Sequence, residues 1–121
     1  MLPNRPLTNV DIRKFSRDIP YFRGVYMKDR LPQKPKRIEC GIVNLDDSKN
    51  KGTHWVAYAK VYDHCEYFDS YGNLKPPTEL MQYFKKCNVF YNYTRYQKFN
   101  AVNCGHLCLN FLRTFWNKNV L

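Results

Sequence analysis

The stretch THWVAYAKVYDHCEYFDSYG, residues 53–72, decides the fold because it holds two strand-like segments joined by a short polar turn. Residues 53–62 and 65–72 are rich in the aromatic and β-branched side chains that favour strands. The pair Asp63–His64 between them is typical of a turn. We therefore predict an antiparallel hairpin, in which the first strand starts at the sheet edge where the second one ends.

Two polar residues, His54 and Asp69, fall at this shared edge. Direct pairing of the two would centre the turn between Val61 and Tyr62, whereas turn chemistry favours a later position, so the register stays open by about two residues. In either register the two side chains are near neighbours. A histidine oriented by a carboxylate is the arrangement that a general base requires, although Asp69 alone is more typical of a residue that ends a strand.

The segment NAVNCGHLCLNFL, residues 100–112, supplies a candidate nucleophile. Apolar residues recur at helical spacing over residues 104–116, which places Cys104 at a helix start, where unpaired N–H groups favour the thiolate. Asn103 is suited to cap that helix, and Gly105 leaves room for a substrate backbone. Taken alone, however, a free cysteine is more often a small core residue.

A thiol nucleophile needs a base, and the chain offers three histidines. His106 diverges from Cys104 by about 200° on a helix, and His64 lies at the predicted turn. His54 is therefore the predicted base, and the indole of Trp55 beside it is placed to shield it from water.

An oxyanion hole is the remaining requirement for acyl transfer. The backbone N–H of Cys104 is one natural donor. Gln97 lies seven residues before Cys104, at the end of the predicted strand 88–97, and its side-chain amide is the candidate for the second donor. Each of these signals is weak alone, but the set of His, Asp, Gln and Cys in this order is specific.

The remaining segments complete a predicted α+β domain, a small mixed or antiparallel β-sheet flanked by helices, over residues 1–121. Thr8 and Asp11 form a capping-box-like start to a helix within residues 7–20. Its predicted inward stripe is Val10, Ile12, Phe15 and Ile19. Residues 38–45 are predicted to form a strand, and residues 75–86 a helix with Leu80, Phe84 and Met81 facing inward.

Composition narrows the class of protein. No segment is long enough to span a membrane and no signal-peptide core is present, so we expect an intracellular chain that is not secreted. In a reducing compartment the five cysteines argue against a disulfide framework. The net charge of +10 favours an acidic partner such as nucleic acid or an acidic protein surface, or it serves solubility alone. The densest basic stretch is KPKR, residues 34–37.

Over about residues 38–116 the chain resembles the adenovirus-type cysteine proteases (adenain) and their Ulp1-like relatives. The similarity is carried by GTHWVAYAK, YFDSYG and the Gln-to-CGHLC segment, and it is closest to the adenovirus-like proteases of Maverick/Polinton elements and related DNA viruses. The resemblance implies a papain-like, Ulp1-like protease core with Cys104 as nucleophile, His54 as general base and acid, and Asp69 as its orienter. It implies that the Gln97 side chain and the backbone N–H of Cys104 stabilise the oxyanion. It also implies that Trp55, Gly105 and Asn103 lie near the substrate.

The same resemblance implies an endopeptidase that cleaves viral or capsid precursor proteins near glycines, in the virion and in the nucleus or cytoplasm of the host cell. It implies a monomer that requires no cofactor, with DNA or a viral peptide as a stimulating partner, and no membrane partner. Three alternatives remain open: a deconjugase of ubiquitin- or SUMO-like modifiers, a non-catalytic basic DNA-binding module, and a zinc site that joins Cys104 and Cys108 to His64 and Cys65. The paired C-x-x-C spacing of structural zinc sites is absent, so no metal is expected.

Overall fold

The computed structural model describes residues 2–46, 54–96 and 103–118. In chain order its elements are α1 (Asn9–Phe15), β1 (Phe22–Met27), β2 (Ile38–Asn44), β3 (Trp55–Val61), β4 (His64–Phe68), α2 (Thr78–Tyr83), β5 (Asn88–Tyr91) and α3 (Cys104–Lys118). Over these residues the strands form one mixed sheet in the order β1-β2-β3-β4-β5. The outer pairs β1–β2 and β4–β5 are parallel, and the inner pairs are antiparallel. The predicted α+β class is confirmed.

The β3–β4 hairpin forms as predicted, and its register lies midway between the two that the sequence left open. Val61 pairs with His64, so Tyr62 and Asp63 make a two-residue turn. Tyr62 takes a positive φ of 55°, which a tight hairpin turn requires.

The central strand β3 is covered on both faces. Trp55, Ala57 and Ala59 face the apolar cluster that includes α3, whereas Val56 and Tyr58 face the cluster that includes α2. This alternation follows from the two-residue period of a strand. The small Ala57 and Ala59 side chains allow α3 to pack close to the sheet.

Helix α3 is the main cover of one face. The residues that it buries lie on one side at helical spacing: Cys108, Leu109, Leu112, Phe115 and Trp116. Leu107 and Phe111, which also belong to the apolar pattern of residues 104–116, are partly buried against the same cluster. None of the helices in the described ranges is long and apolar enough to cross a membrane.

The first helix begins as predicted but ends early. Thr8 and Asp11 form a complete capping box, and Ile12 is fully buried. Val10 is 67% exposed, so its assignment to the inward stripe was wrong. The helix stops at Phe15 because the chain turns there, with the Ile19 N–H bonded to the Ser16 carbonyl oxygen.

Strand β1 was missed by the sequence analysis. It lies at the sheet edge, is half-buried along most of its length, and shifts register between Phe22 and Gly24. An edge strand with an irregular register lacks the regular alternation by which strands are recognised.

Helix α2 and strand β5 are both shorter than predicted. Leu80 and Phe84 are buried, but Met81 is 44% exposed because it lies about 100° around the helix from Leu80. Strand β5 ends at Tyr91, not at residue 97, because the side chain of Asn92 leaves the ladder to bond the backbone of Asp69.

The neighbouring residues Leu80 and Met81 provide a test of this packing. We expect Leu80→Ala to lower the free energy of unfolding by about 2–5 kcal/mol, because it leaves a cavity under α2. Met81→Ala, its control on the same helix, should change that free energy by less than about 0.5 kcal/mol. Urea unfolding followed by tryptophan fluorescence measures both, and an equal loss in the two variants would contradict the inward direction of Leu80.

Candidate active site

Three elements meet at one end of the sheet and carry one polar side chain each. His54 directly precedes β3, Asp69 directly follows β4, and Cys104 is the first residue of α3. The imidazole Nε2 of His54 lies 2.8 Å from Oδ1 of Asp69. The structure therefore brings together the histidine and the carboxylate that the hairpin prediction placed at one edge.

Asp69 is held in a tight turn and is only 1% exposed. Its Oδ1 accepts a second hydrogen bond from the backbone N–H of Tyr71 at 3.0 Å, and its carbonyl oxygen accepts one from the N–H of Gly72. Extending the β3–β4 register places His54 opposite Tyr71 rather than opposite Asp69. The turn therefore folds the carboxylate back toward the imidazole.

Tyr71 stacks flat on the imidazole of His54. The ring centroids are 4.2 Å apart and the planes differ by 3°. This contact fixes the plane of the imidazole and covers one face of it, so the histidine side chain is 12% exposed. The ring of Tyr71 thus covers the imidazole of His54, while its backbone N–H donates to the carboxylate of Asp69.

Cys104 lies against the start of β3. Its Sγ accepts a hydrogen bond from the backbone N–H of Trp55 at 3.4 Å, and the residue is 6% exposed. Because Asp69 engages Nε2 of His54, only Nδ1 remains for the thiol. Nδ1 is buried and has no hydrogen-bond partner in the described part of the chain, which leaves it available for proton exchange with Cys104.

The pKa values of the two groups shift toward an ion pair. Burial lowers the pKa of His54, but the hydrogen bond with Asp69 and the nearby Cys104 sulfur outweigh burial and raise this pKa to about 9. Burial raises the pKa of Cys104, but His54 and the backbone N–H of Trp55 outweigh it and lower this pKa below its ordinary value. Both shifts therefore favour the pair of thiolate and imidazolium over the pair of neutral groups.

The other four cysteines are chemically different. Burial is the main cause of a raised pKa at each of them, to about 12 for Cys40, and upward also for Cys65, Cys87 and Cys108. Cys65 lies in the α2-side cluster, whereas Cys104 and Cys108 lie in the α3-side cluster, with the sheet between them. The zinc set that the sequence left open is therefore not assembled, and the described residues include no cluster of metal ligands.

Trp55 and Gly105 both pack against the N-terminal segment. The indole of Trp55 is 8% exposed and donates to the carbonyl oxygen of Leu7 at 2.9 Å. A Cβ on Gly105 would lie 3.1 Å from Cβ of Leu7. The close approach at Gly105 is thus made by the chain itself, and the substrate contacts of both residues stay predictions.

The two remaining residues of the predicted set are Gln97 and Asn103, of which the structure describes only Asn103. Gln97 lies outside the described residues, but Tyr96 before it donates its N–H to the carbonyl oxygen of Ser70 at 2.7 Å. The carbonyl oxygen of Asn103 accepts from the N–H of Leu107, so the backbone of Asn103 occupies the N-cap position directly before α3. The oxyanion role of Gln97 and the capping and substrate-contact roles of Asn103 stay predictions.

His106 does not face the thiol. Its Nε2 lies 2.6 Å from the carbonyl oxygen of Pro3, and because a carbonyl only accepts, Nε2 carries the proton. This ring tethers the N-terminal segment to α3, in agreement with its exclusion as the base.

Asn92 is a positioning residue that the sequence analysis missed. Its Oδ1 accepts from the N–H of Asp69 at 2.9 Å, and its Nδ2 donates to the carbonyl oxygens of Asp69 at 2.7 Å and Thr94 at 3.0 Å. A Cβ on Gly72, whose φ is +80°, would lie 2.6 Å from the Thr94 carbonyl oxygen. The turn that carries Asp69 is therefore pressed against residues 92–96. No periodic signal marks such a contact, because it depends on where β5 ends.

Comparison with known proteins identifies the fold. A crystal structure of the ASFV pS273R protease matches with a TM-score of 0.67 at 16% sequence identity, over 98% of this chain and 60% of that one. A selenomethionine crystal structure of the ASFV pS273R protease matches with a TM-score of 0.54 at 22% identity, over 71% and 37%. The chain thus spans less than two thirds of the length of the protease that it resembles. No protein-family model and no curated protein matches the sequence.

The shifted pKa values predict a selective reaction with iodoacetamide. We expect Cys104 to be alkylated near pH 7, below the ordinary thiol pKa of 9.0, because His54 stabilises its thiolate. The rate should fall as the pH is lowered through the pKa of Cys104, since protonation of the thiolate ends the ion pair. Peptide mass spectrometry across the pH range measures this, and earlier modification of the half-buried Cys87 would contradict it.

The position of Asn92 predicts a second effect on the same reaction. Asn92→Ala should loosen Asp69 and weaken the ion pair by about 1 kcal/mol, which lowers the alkylation rate of Cys104 at neutral pH about fivefold. Asn88→Ala on the exposed side of β5 is the matched control. An unchanged pH profile in Asn92→Ala would show that the asparagine does not position the carboxylate.

Proposed function

We propose that this chain is a cysteine endopeptidase. The observation that carries the proposal is the contact of one imidazole with Asp69 through Nε2, while its other nitrogen is left for the Cys104 thiol at the start of α3. A nucleophile, a base and an orienting carboxylate in this relation form the unit that acyl transfer uses. The fold shared with a viral protease supports the same reaction class.

The proposed reaction proceeds in two stages. The Cys104 thiolate attacks the carbonyl carbon of the scissile peptide bond, and the carbonyl electron pair moves onto oxygen. As the tetrahedral intermediate collapses, the carbon–nitrogen bond breaks and the leaving nitrogen takes the proton from His54. Water then attacks the thioester, His54 accepts its proton, and collapse of the second intermediate releases the acid and the thiolate.

The proposed oxyanion hole follows from the start of α3. The first N–H groups of a helix have no partner within the helix, so the backbone N–H of Cys104 can donate to the oxyanion. The side-chain amide of Gln97 is proposed as the second donor. Support comes from the neighbouring Tyr96, which is bonded to Ser70 in the Asp69 turn.

The proposed substrates are viral or capsid precursor proteins cut near glycines, in the virion and in the nucleus or cytoplasm of the host cell. The resemblance to adenovirus-type proteases supports this choice, and so does a shared fold with the ASFV pS273R protease. We further propose a monomer that needs no metal, with DNA or a viral peptide as an optional activator.

Cleavage-site profiling tests the proposal most directly. A proteome mixed with candidate virion proteins is treated with the wild-type chain or with Cys104→Ala, and new N-termini are compared. Termini that depend on Cys104 and follow glycines within chains support the endopeptidase. Release of intact modifier proteins would support a deconjugase instead, and tight DNA binding without any new termini would support a non-catalytic module.

The roles of the two histidines predict unequal effects on turnover of a peptide cleaved in that screen. Cys104→Ala should abolish turnover, and His54→Ala should lower kcat by several orders of magnitude, because nucleophile and base act as one unit. Gln97→Ala should lower kcat about 10²-fold, as expected for one oxyanion donor. His106→Ala is the control, and a larger loss there than in His54→Ala would overturn the choice of base.

A further inference from the structure

A large open cavity lies away from the candidate active site. It has a volume of about 1260 Å³ and is bounded by the connector after β1, the β3–β4 turn and the end of α2. The turn residues Tyr62 and Asp63 line it, whereas His54 lies at the opposite end of β3. At about 3.3 Å per residue, the length of β3 separates the two sites by about 20 Å.

The cavity is ringed by positive charge. The cationic side chains around it are Lys28, Lys34, Lys36, Arg37, Lys85 and Lys86. Asp29, Asp63 and Glu79 also line it, and Glu79 lies 3.7 Å from the Lys28 ammonium. Cations thus outnumber carboxylates, and the KPKR stretch contributes three of them, a sequence feature for which the proposed protease reaction has no use.

Lys60 adds a buried charge to the same cavity. It is 7% exposed, and its ammonium donates to the carbonyl oxygens of Lys36 at 2.8 Å and Arg37 at 3.2 Å. Glu39 lies directly opposite Lys60 on β2, but its carboxylate is bonded to Arg23, Tyr58 and Tyr83. Within the described ranges no carboxylate lies within ion-pair distance of the Lys60 ammonium. A buried cation without a counter-ion is costly, and an anion in the cavity would offset that cost.

The surfaces between these charges are apolar. Leu31, Pro32 and Pro35 line one wall, and the ring of Tyr83, itself 9% exposed, lines another. The prolines favour an extended connector, so this wall is largely set before any ligand arrives. A suitable ligand combines negative charges with at least one apolar side chain.

We propose that this cavity is a docking site for an acidic peptide segment of a partner protein, with carboxylates facing Lys60 and the lysine rim and an apolar side chain against Leu31 and Pro35. A peptide fits better than a nucleic acid. The carboxylates of Asp63 and Glu79 within the lining would repel an evenly charged phosphate backbone, whereas a peptide can place its charges selectively. The concave, apolar walls also suit a side chain rather than a duplex surface.

Binding is measured with the full chain carrying Cys104→Ala, so that the result does not depend on cleavage. The probe is a short fluorescein-labelled peptide of repeated Glu-Glu-Leu units, followed by fluorescence anisotropy. The comparison probes are the matching Gln-Gln-Leu peptide and an oligothymidylate of similar length. We expect saturable binding of the acidic peptide that weakens with added salt, and at least about tenfold weaker binding of both other probes.

Two charge-neutralising variants locate the site. Lys85→Gln with Lys86→Gln removes two rim charges and should weaken peptide binding about tenfold. Arg13→Gln with Lys14→Gln removes the same charge from the exposed side of α1 and should change it less than about twofold. Lys60→Gln should abolish binding, and circular dichroism checks that this variant is folded. If it is not folded, the comparison of the Lys85→Gln, Lys86→Gln variant with the α1 variant tests the location of the site.

Three results would overturn the proposal. Equal weakening by the rim variant and the α1 variant would show that only overall charge matters. Equal binding of the Gln-Gln-Leu peptide would show that the cavity does not recognise the carboxylates of the acidic peptide. Tighter binding of the oligothymidylate, lost in the rim variant, would assign the cavity to nucleic acid instead.

Discussion

Every side chain of β3 from Trp55 to Lys60 is buried, although neighbouring side chains point to opposite faces. Both faces must therefore be covered, and this constraint sets the rest of the structure. On one face, Ala57 and Ala59 leave room for α3 to lie close to the strand, which brings the first residue of that helix to the Trp55 N–H. The nucleophile reaches its place because the helix behind it packs on a strand with small side chains.

Burial disfavours the charged forms of both His54 and Cys104. The ion pair between them forms only because other groups stabilise each charge. Asp69 and the thiolate compensate the imidazolium, and the imidazolium and a backbone N–H compensate the thiolate. Asp69 can do this only while it is itself fixed, through the side chain of Asn92 and the N–H of Tyr71. Asn92 and Tyr71 therefore hold Asp69 in place, and Asp69 in turn stabilises the imidazolium of His54.

The sequence predicts the parts of this arrangement that depend on local periodicity. The hairpin, the start of α3 and the meeting of His54 with Asp69 follow from strand alternation, helical spacing and antiparallel pairing. The features that depend on tertiary contacts are not predictable in this way. Asn92 acts where β5 happens to end, Tyr71 stacks because of the exact hairpin register, and β1 is an irregular edge strand. Met81 was placed inward because the helical pattern alone does not distinguish it from Leu80.

The N-terminal segment joins the two most distant parts of the described chain. The carbonyl oxygen of Pro3 meets the ring of His106, and Leu7 packs on Gly105 and bonds the indole of Trp55. Contacts of such long sequence separation form late, because the loops that they close are large. A nascent chain would carry the hairpin, with its imidazole and carboxylate, well before α3 leaves the ribosome. The proposed peptidase would therefore gain its nucleophile only after α3 has been made and has packed against Pro3 and Leu7.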